Sequence, residues 1–190
     1  NRGETVFALV LRKPSSNNQI LWQPDSGQID THALEGFDAV VHLAGESIAG
    51  GRWTQERKNR IRDSRVNGTG LLAQALSQLQ RPPKTLLSAS AIGYYGHRAD
   101  ETLTEDSPPG TGFLPEVSVA WETAAQPAVD AGIRTAFPRI GIVLTPDGGA
   151  LGKMLLPFKL GLGGVVGSGT QYMSWISLDD LVAAFVYALD

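Results

Sequence analysis

Two adjacent basic residues, Arg12 and Lys13, follow the apolar run Thr5–Leu11. Such a run is typical of a parallel strand that is buried on both faces. Where the second strand of a dinucleotide-binding domain ends, an acidic side chain accepts from a free ribose 2′-hydroxyl, whereas a basic one pairs with a 2′-phosphate. An arginine can bind that phosphate through two parallel hydrogen bonds. The pair could also be two solvated charges, but within a dinucleotide-binding fold we favour the phosphate and therefore NADP(H) over NAD.

A second candidate contact follows the predicted strand Asp38–Leu43. Leu43, Ala44 and Gly45 are placed where a buried strand meets a turn. A small residue at such a point lets the backbone approach a ligand closely, although a plain tight turn explains the same residues. Arg65, inside a long predicted helix, either faces solvent or reaches back to a cofactor phosphate.

Three hydroxyl groups are candidates for chemistry. Ser90 ends the predicted strand Thr85–Ser90, at the carboxyl edge where open α/β sheets bind their ligands. Tyr94 and Tyr95 follow in the next loop. A hydroxyl here could hydrogen-bond a substrate carbonyl or alcohol, which makes these three residues candidate catalytic groups. The alternative is that Ser90 caps a turn and that the two tyrosines pack over the loop.

Strands that alternate with helices must position these residues, and they predict an α/β fold. We expect a Rossmann-type doubly wound parallel sheet with right-handed connections. Two helix starts are marked by capping residues: Thr54 opens a helix towards Leu79, and Ser177 opens a helix over Leu178–Leu189. The other predicted elements are the strands Ile20–Trp22 and Thr135–Val143 and a helical segment within Leu114–Ala131.

We predict that residues 1–190 form a single NADP-binding domain. Glycines cluster between Gly141 and Gly169, and residues 145–176 are predicted to form a mobile, apolar flap on the substrate side. Pocket wall and lid are one interpretation of this flap, and exposed surface loops are the other. The first strand and glycine-rich turn of such a domain, which bind the pyrophosphate, have no counterpart ahead of Thr5. We therefore expect a truncated domain that lacks this strand, its turn and a C-terminal lobe.

Composition and charge exclude several classes of function. The net charge of −3 over 190 residues gives no electrostatic basis for binding nucleic acid or an anionic membrane. The absence of cysteine excludes disulfides and thiol catalysis, and it fits a cytoplasmic location. The three histidines, His32, His42 and His97, share no ligand spacing, so we expect no metal site. We expect a small-molecule substrate and allow for a homo-oligomer.

The chain also carries short motifs that occur together in one protein family, and they cover essentially its whole length. They are His42-Leu-Ala-Gly-Glu-Ser47, Trp53, Ser64-Arg65, Ser88-Ala-Ser-Ala-Ile-Gly-Tyr-Tyr-Gly96, Trp121-Glu122, Pro138-Arg139-Ile-Gly-Ile-Val-Leu144, Met154-Leu-Leu-Pro-Phe158, Leu160-Gly-Leu-Gly-Gly164 and Trp175-Ile176. With them the chain resembles the atypical extended short-chain dehydrogenase/reductases of the NAD-dependent epimerase/dehydratase-like family. Some members of that branch carry the label cell division inhibitor.

The resemblance implies an NADP(H) site. Arg12 and Lys13 would hold the ribose phosphate, and the nicotinamide would lie beside Ser88 to Ser90 and beside Pro138-Arg139. Ser90 would present the hydroxyl that faces the substrate. The positions that match cofactor contacts of the family are Arg12, Lys13, Leu43, Ala44, Gly45, Arg65, Ser88, Pro138 and Arg139.

One family feature is replaced in this chain. Catalytic members of the superfamily carry Tyr-x-x-x-Lys on the helix after the serine strand, where the lysine helps the tyrosine to transfer a proton. Counting back from Glu122 places Leu114 and Ser118 at those two positions. The resemblance therefore implies an NADP-linked oxidoreductase or epimerase. A dinucleotide-binding protein without chemistry and an inactive truncated scaffold are the alternatives.

Overall fold

The computed structural model describes residues 3–165 and 167–190. Parallel strands alternate with helices along the chain, so the predicted α/β class is confirmed. Asn1, Arg2 and Val166 lie outside the described residues, and Val166 belongs to the predicted flap. In chain order the elements are β1 (Ala8–Val10), β2 (Gln19–Gln23), β3 (Gln28–Ile29), β4 (Ala39–His42), α1 (Gln55–Ser77), β5 (Thr85–Ser88), β6 (Ser90–Ala91), α2 (Phe113–Thr123), α3 (Gln126–Asp130), β7 (Arg134–Ala136), β8 (Arg139–Ile140), β9 (Ile142–Thr145), α4 (Gly149–Lys159), β10 (Trp175–Ser177) and α5 (Leu178–Leu189).

Contacts within the chain group into two compact units. The first unit comprises the described residues up to Ala89 together with Ala120–Phe137. The second unit comprises Ser90–Val119 and Pro138–Asp190. The single domain over residues 1–190 stays a prediction. Within the described part of the chain, none of the helices is both long and apolar enough to cross a bilayer.

Two small sheets form the framework of the first unit. β1 pairs in parallel with β2, with Ala8 opposite Gln19, and β3 adds to β2 in the antiparallel direction. In the other sheet β5 lies between β4 and β7, and all three strands run parallel. His42 at the end of β4 lies opposite Ser88 at the end of β5. The carboxyl ends of these two strands therefore meet at one edge of the sheet.

Helix α1 supplies much of the core of the first unit. Thr54 caps it as predicted, because the backbone N–H of Arg57 donates to the Thr54 hydroxyl over 3.3 Å. Leu72 and Leu76 lie one turn apart on its inner face and are fully buried with Leu86 of β5. Fully burying one such leucine stabilises a fold by about 1.5–3 kcal/mol. The inner face of α1 thus fixes the helix against the sheet.

The predicted strand Thr135–Val143 consists of three short strands, β7, β8 and β9. Pro138 separates the first two, since proline has no backbone N–H to donate to a neighbouring strand. Gly141 separates the second and third, where the chain passes close to another backbone: a Cβ on Gly141 would lie 2.8 Å from the carbonyl oxygen of Ser174. A proline and a glycine therefore account for the two breaks. The exact ends of the three strands depend on where their neighbouring strands pair with them.

The second unit contains two pairs of parallel strands and the helices α4 and α5. β6 pairs with β8, with Ser90 opposite Arg139, and β9 pairs with β10. Ser177 caps α5 as predicted, because its hydroxyl accepts from the Asp180 amide over 3.0 Å. The segment predicted as a flap contains α4, a helix that the sequence analysis did not predict. Flanking glycines and Pro157 obscured a run of good helix formers there.

Candidate functional site

The basic pair Arg12–Lys13 follows β1 almost directly, as the sequence predicts. Both side chains are exposed. Neither has a hydrogen-bond or ion-pair partner among the residues that the structure describes. Two neighbouring cations repel each other, and an anion placed between them relieves that repulsion. The end of β1 therefore offers two cations to an anionic ligand.

The segment Leu43-Ala44-Gly45 follows β4, and Arg65 of α1 lies against it. We keep the name turn for this segment, although the chain passes through it without a hydrogen-bonded turn or a bend. The Nη1 group of Arg65 donates to the carbonyl oxygen of Glu46 over 2.9 Å and to that of Ile61 over 3.0 Å. A Cβ on Gly45 would lie 3.1 Å from Arg65 Cζ. Burial holds the pKa of Arg65 below its usual range, and the carboxylate of Glu46 acts in the opposite direction. Arginine stays protonated under such conditions, so the turn contacts a fixed positive charge.

The loop after this turn is attached to α1 by further hydrogen bonds. The Ser64 hydroxyl accepts from the backbone N–H of Glu46 over 3.0 Å. About two turns before Ser64 on α1, the guanidinium of Arg57 donates to the carbonyl oxygen of Ser47 over 2.8 Å. Within the loop, the Trp53 indole donates to the Ile48 carbonyl over 3.2 Å. Sequence reasoning missed Ser64 and Arg57 as loop anchors, because nothing in their local pattern identifies a partner outside the helix.

A buried polar network lies behind the turn. His42 is hydrogen-bonded through Nε2 to the Thr69 hydroxyl over 3.0 Å, and the Trp121 indole donates to the same hydroxyl over 2.9 Å. The ring of Trp121 in turn lies 4.9 Å from Arg65 Cζ, which is a cation–π distance. Burial lowers the pKa of His42 from 6.5 to about 4, so this histidine is neutral at neutral pH. The network connects the core of the first unit to the arginine beneath the turn.

Ser88 is the most deeply buried of the predicted cofactor contacts. It is 0 % exposed, and its hydroxyl has no hydrogen-bond partner within the described residues. A buried hydroxyl without a partner costs about 1–3 kcal/mol. Its predicted contact with a cofactor stays a prediction.

In the second unit, Ser90 is held by its backbone. Its N–H donates to the carbonyl oxygen of Pro138 over 2.8 Å, in the pairing that aligns β6 with β8. The side chain is only 3 % exposed. The structure thus brings together two predicted contacts, Ser90 and Pro138, and it places Arg139 directly opposite Ser90.

Arg139 is surrounded by the two candidate tyrosines. Its Cζ lies 3.5 Å from the centre of the Tyr94 ring, and its Nη1 donates to the Tyr95 hydroxyl over 2.9 Å. The same nitrogen donates to the carbonyl oxygen of Glu105 over 3.1 Å. Because the Tyr95 oxygen accepts from a cation, its own proton is directed elsewhere. Sequence reasoning proposed each of these three side chains but did not predict that they meet.

Leu114 and Ser118, which are predicted to stand at the Tyr-x-x-x-Lys positions, both lie against Gly93. A Cβ on Gly93 would be 3.5 Å from the Cβ of Leu114 and 3.9 Å from the hydroxyl of Ser118. These are ordinary van der Waals distances. At the two positions, α2 therefore packs against the turn that carries Tyr94 and Tyr95.

With this geometry established, comparison with known proteins decides the family. The sequence profile of the NAD dependent epimerase/dehydratase family matches residues 12–190. The chain belongs to this family. The resemblance inferred from the sequence motifs is thereby confirmed.

Curated relatives in the family are longer than this chain. An epimerase family protein of Mycobacterium bovis is 45% identical over 97% of this chain, which corresponds to 61% of the relative. The human epimerase family protein SDR39U1 is 38% identical, over 100% of this chain and 63% of its own length. The chain thus spans about three-fifths of the length of these epimerase family proteins.

Solved structures of epimerases share the fold. Human epimerase family protein SDR39U1, crystallised as isoform 2 with NADPH, matches with a TM-score of 0.86 and 35% identity over 100% of this chain and 63% of that chain. The nucleoside-diphosphate sugar epimerase of Corynebacterium glutamicum matches with a TM-score of 0.84 and 39% identity over 98% of this chain and 38% of that one. These neighbours are Rossmann-fold epimerases, which confirms the predicted Rossmann-type class.

Proposed function

We propose that this chain is the NADP(H)-binding part of an oxidoreductase or epimerase that acts on a small molecule. The observation that carries the proposal is the pair of exposed, unpartnered cations Arg12 and Lys13 at the end of β1, within the described part of the chain. Support comes from the family match and from a human relative that was crystallised with NADPH.

The residues present fit a dinucleotide that carries a 2′-phosphate. A carboxylate at the end of the strand would repel that phosphate, whereas Arg12 and Lys13 attract it. After β4, the position of a Cβ on Gly45 lies 3.1 Å from Arg65 Cζ, so the guanidinium and not a ligand takes the place of a side chain there. The donor set at the end of β1 is therefore what suits a phosphate-bearing nucleotide.

The two compact units contain different candidate groups. In the first unit, Arg12 and Lys13 bind the 2′-phosphate, and Leu43-Ala44-Gly45 line the nucleotide. In the second unit, Ser90, Tyr94 and Tyr95 hold or donate a proton at a substrate oxygen, with Arg139 fixing the tyrosines. Bound NADP(H) supplies or accepts a hydride.

Calorimetric titration of the chain with NADPH, and with NADH in parallel, tests the proposal. We expect NADPH to bind at least about tenfold more tightly, which corresponds to 1.4 kcal/mol. Arg12→Ala should abolish that preference. Arg60→Ala is the matched control, because Arg60 is an exposed arginine of α1 that pairs with Glu56. Equal binding of both nucleotides would refute the proposed contact of Arg12 with the 2′-phosphate. If neither nucleotide binds, the proposal that this chain binds NADP(H) is refuted.

One observation favours a second candidate, a protein that binds the dinucleotide without chemistry. Counting back from Glu122, the resemblance places Leu114 and Ser118 at the positions of the catalytic tyrosine and lysine, and neither can transfer a proton as that pair does. The two candidates differ in turnover. Oxidation of NADPH with a panel of small carbonyl compounds, lost in Tyr95→Phe, supports the enzyme. Tight binding of NADPH without oxidation supports the protein that binds the dinucleotide without chemistry.

The remaining expectations belong to the same proposal. They are a small-molecule substrate, a cytoplasmic location and room for a homo-oligomer. Size-exclusion chromatography with light scattering measures the last of these directly.

A further inference from the structure

We propose that Arg65 is a positioning residue for the turn Leu43-Ala44-Gly45, and that residue 45 is glycine because the guanidinium of Arg65 occupies the space of a side chain. The inference rests on the proposed function, since the turn is the part of the nucleotide site that Arg65 would position. It assigns Arg65 a role through the backbone of this chain and not through a phosphate.

Arg65 lies in close contact with Gly45. A Cβ on this residue would lie 3.1 Å from Arg65 Cζ and 3.3 Å from both Nη1 and Nη2. It would therefore face the centre of the planar guanidinium. The backbone of Gly45 is not in the left-handed region, so conformation does not call for glycine there. The close approach of Arg65 is the steric reason that the structure provides.

Arg65 cannot move away from Gly45 without losing several of its own contacts. Its Nη1 group donates to the carbonyl oxygens of Glu46 and Ile61, and its Cζ lies 4.9 Å from the centre of the Trp121 ring. Trp121 is itself held by its hydrogen bond to Thr69, a residue that is 1 % exposed. Because three contacts hold the arginine, two from Nη1 and one with the Trp121 ring, a side chain at position 45 would displace the turn and not the arginine.

The backbone of Glu46 is attached to α1 at two points. Glu46 is bound twice to α1, through its carbonyl oxygen to Arg65 and through its N–H to the Ser64 hydroxyl. Both groups of the Glu46 backbone are therefore fixed immediately after Gly45. The orientation of the Gly45 peptide, which the nucleotide would meet, follows from these two hydrogen bonds.

Lysine cannot replace arginine in this arrangement. A lysine ammonium keeps the charge but has no planar group that could contact the Trp121 indole and the backbone of Gly45 at the same time. A residue that acts only as a charge on a phosphate would tolerate Arg65→Lys much better. The variant thus separates positioning from direct ionic contact.

The test is a double-mutant cycle with Gly45→Ala, Arg65→Ala and the double variant, read by calorimetric titration with NADPH. We expect each single change to raise the Kd about tenfold, and the double variant to be no weaker than Arg65→Ala alone, because neighbours in contact are not additive. Arg65→Lys should behave like Arg65→Ala. Added salt should weaken binding to wild type and to Arg65→Ala by the same factor, since Arg65 is not the ionic contact. Arg60→Ala serves as the control and should bind as wild type does.

Thermal unfolding without nucleotide gives a second reading of the same cycle. Gly45→Ala should lower the midpoint when Arg65 is present and leave it unchanged in Arg65→Ala. If Gly45→Ala does not fold, the double variant should fold, and its failure to do so would overturn the steric contact.

The outcomes keep the two proposals distinct. Wild type that binds no NADPH refutes the proposed function, and the unfolding cycle still decides the contact. Additive effects on Kd, or Arg65→Lys with nearly wild-type affinity and Arg65→Ala with reduced salt dependence, would overturn the positioning role in favour of a direct phosphate contact.

Discussion

The two units differ in how completely they bury their apolar side chains. Among the described residues, the buried apolar side chains belong to the first unit, with Pro115 and Val117 as the exceptions. In the second unit, α4 and α5 contain no buried residue within the described part of the chain. Tyr187 of α5 is 85 % exposed, and Val165 after α4 is 80 % exposed.

This difference affects the candidate residues. The turn at Gly45 rests through Arg65 and Trp121 on a packed core, which holds side chains in single conformations. The cluster of Arg139, Tyr94 and Tyr95 is held mainly by hydrogen bonds and ring contacts within its own unit. The candidate residues of the first unit are therefore held by the buried apolar core beneath them. Those of the second unit are held more by local polar contacts.

The largest effect that sharpens this comparison comes from matched leucine truncations. Leu76→Ala, at a site that is 0 % exposed in α1, should lower the free energy of unfolding by about 2–5 kcal/mol. Leu156→Ala, on the exposed surface of α4, should change it by less than about 0.5 kcal/mol. Urea unfolding followed by tryptophan fluorescence measures both. Similar losses for the two variants would remove the distinction between the units.

Acid should destabilise the first unit through His42. Its pKa is lowered from 6.5 to about 4 in the folded chain, so the unfolded chain binds more protons between these values. Stability is therefore complete above about pH 6.5 and falls as the pH drops towards 4, by up to about 3 kcal/mol in total. His42→Gln should flatten this part of the pH profile of urea unfolding. Exposed His97 provides the control, and an equal effect of His97→Gln would contradict the assignment.

Removing the hydroxyl at the centre of the buried network has a smaller effect. Thr69→Val keeps the shape of the side chain but leaves the Trp121 indole and His42 Nε2 without their shared partner. We expect a loss of about 1–3 kcal/mol in the free energy of unfolding and a change in tryptophan emission. Thr145→Val in β9 of the second unit is the comparison, because within the described residues the Thr145 hydroxyl is hydrogen-bonded only to Asp147, at 3.4–3.5 Å. A cost for Thr145→Val as large as that for Thr69→Val would weaken the contrast.

The helix caps give the smallest effect and the most direct comparison. Thr54→Ala and Ser177→Ala each remove one cap hydrogen bond, worth about 0.5–2 kcal/mol. The Thr54 change should lower global stability, because α1 packs on the core of its unit. The Ser177 change should speed hydrogen exchange in α5 with little effect on global unfolding. Exchange measured by mass spectrometry decides this, and equal protection of α1 and α5 in wild type would argue against it.

Local signals predicted much of the fold. The caps at Thr54 and Ser177 and the apolar spacing of α1 identify two helices, because such signals depend on neighbours within one or two turns. The strand ends were less accurate. The predicted run Thr5–Leu11 pairs only over Ala8–Val10, since pairing depends on how far the partner strand extends.

The candidate site was predicted residue by residue but not as a set of contacts. Gly45, Arg65, Tyr95 and Arg139 were each proposed from the sequence, yet no pattern indicated that Arg139 meets the tyrosines. Arg139 and Tyr95 are 44 residues apart in the chain, and Arg65 and Glu46 are 19 apart. Contacts at such separations depend on the packing of whole elements.

The sequence by itself determined the α/β class, the family motifs and the basic pair after β1. These features follow from residue types, from local periodicity and from charges that need no partner. Only the tertiary structure decided that Arg65 occupies the space beside Gly45, that Thr69 joins His42 to Trp121, and that the apolar surfaces of α4 and α5 are exposed. Each of these depends on which distant segments pack together, because a side chain acquires a partner or loses contact with water only when the fold places another segment against it.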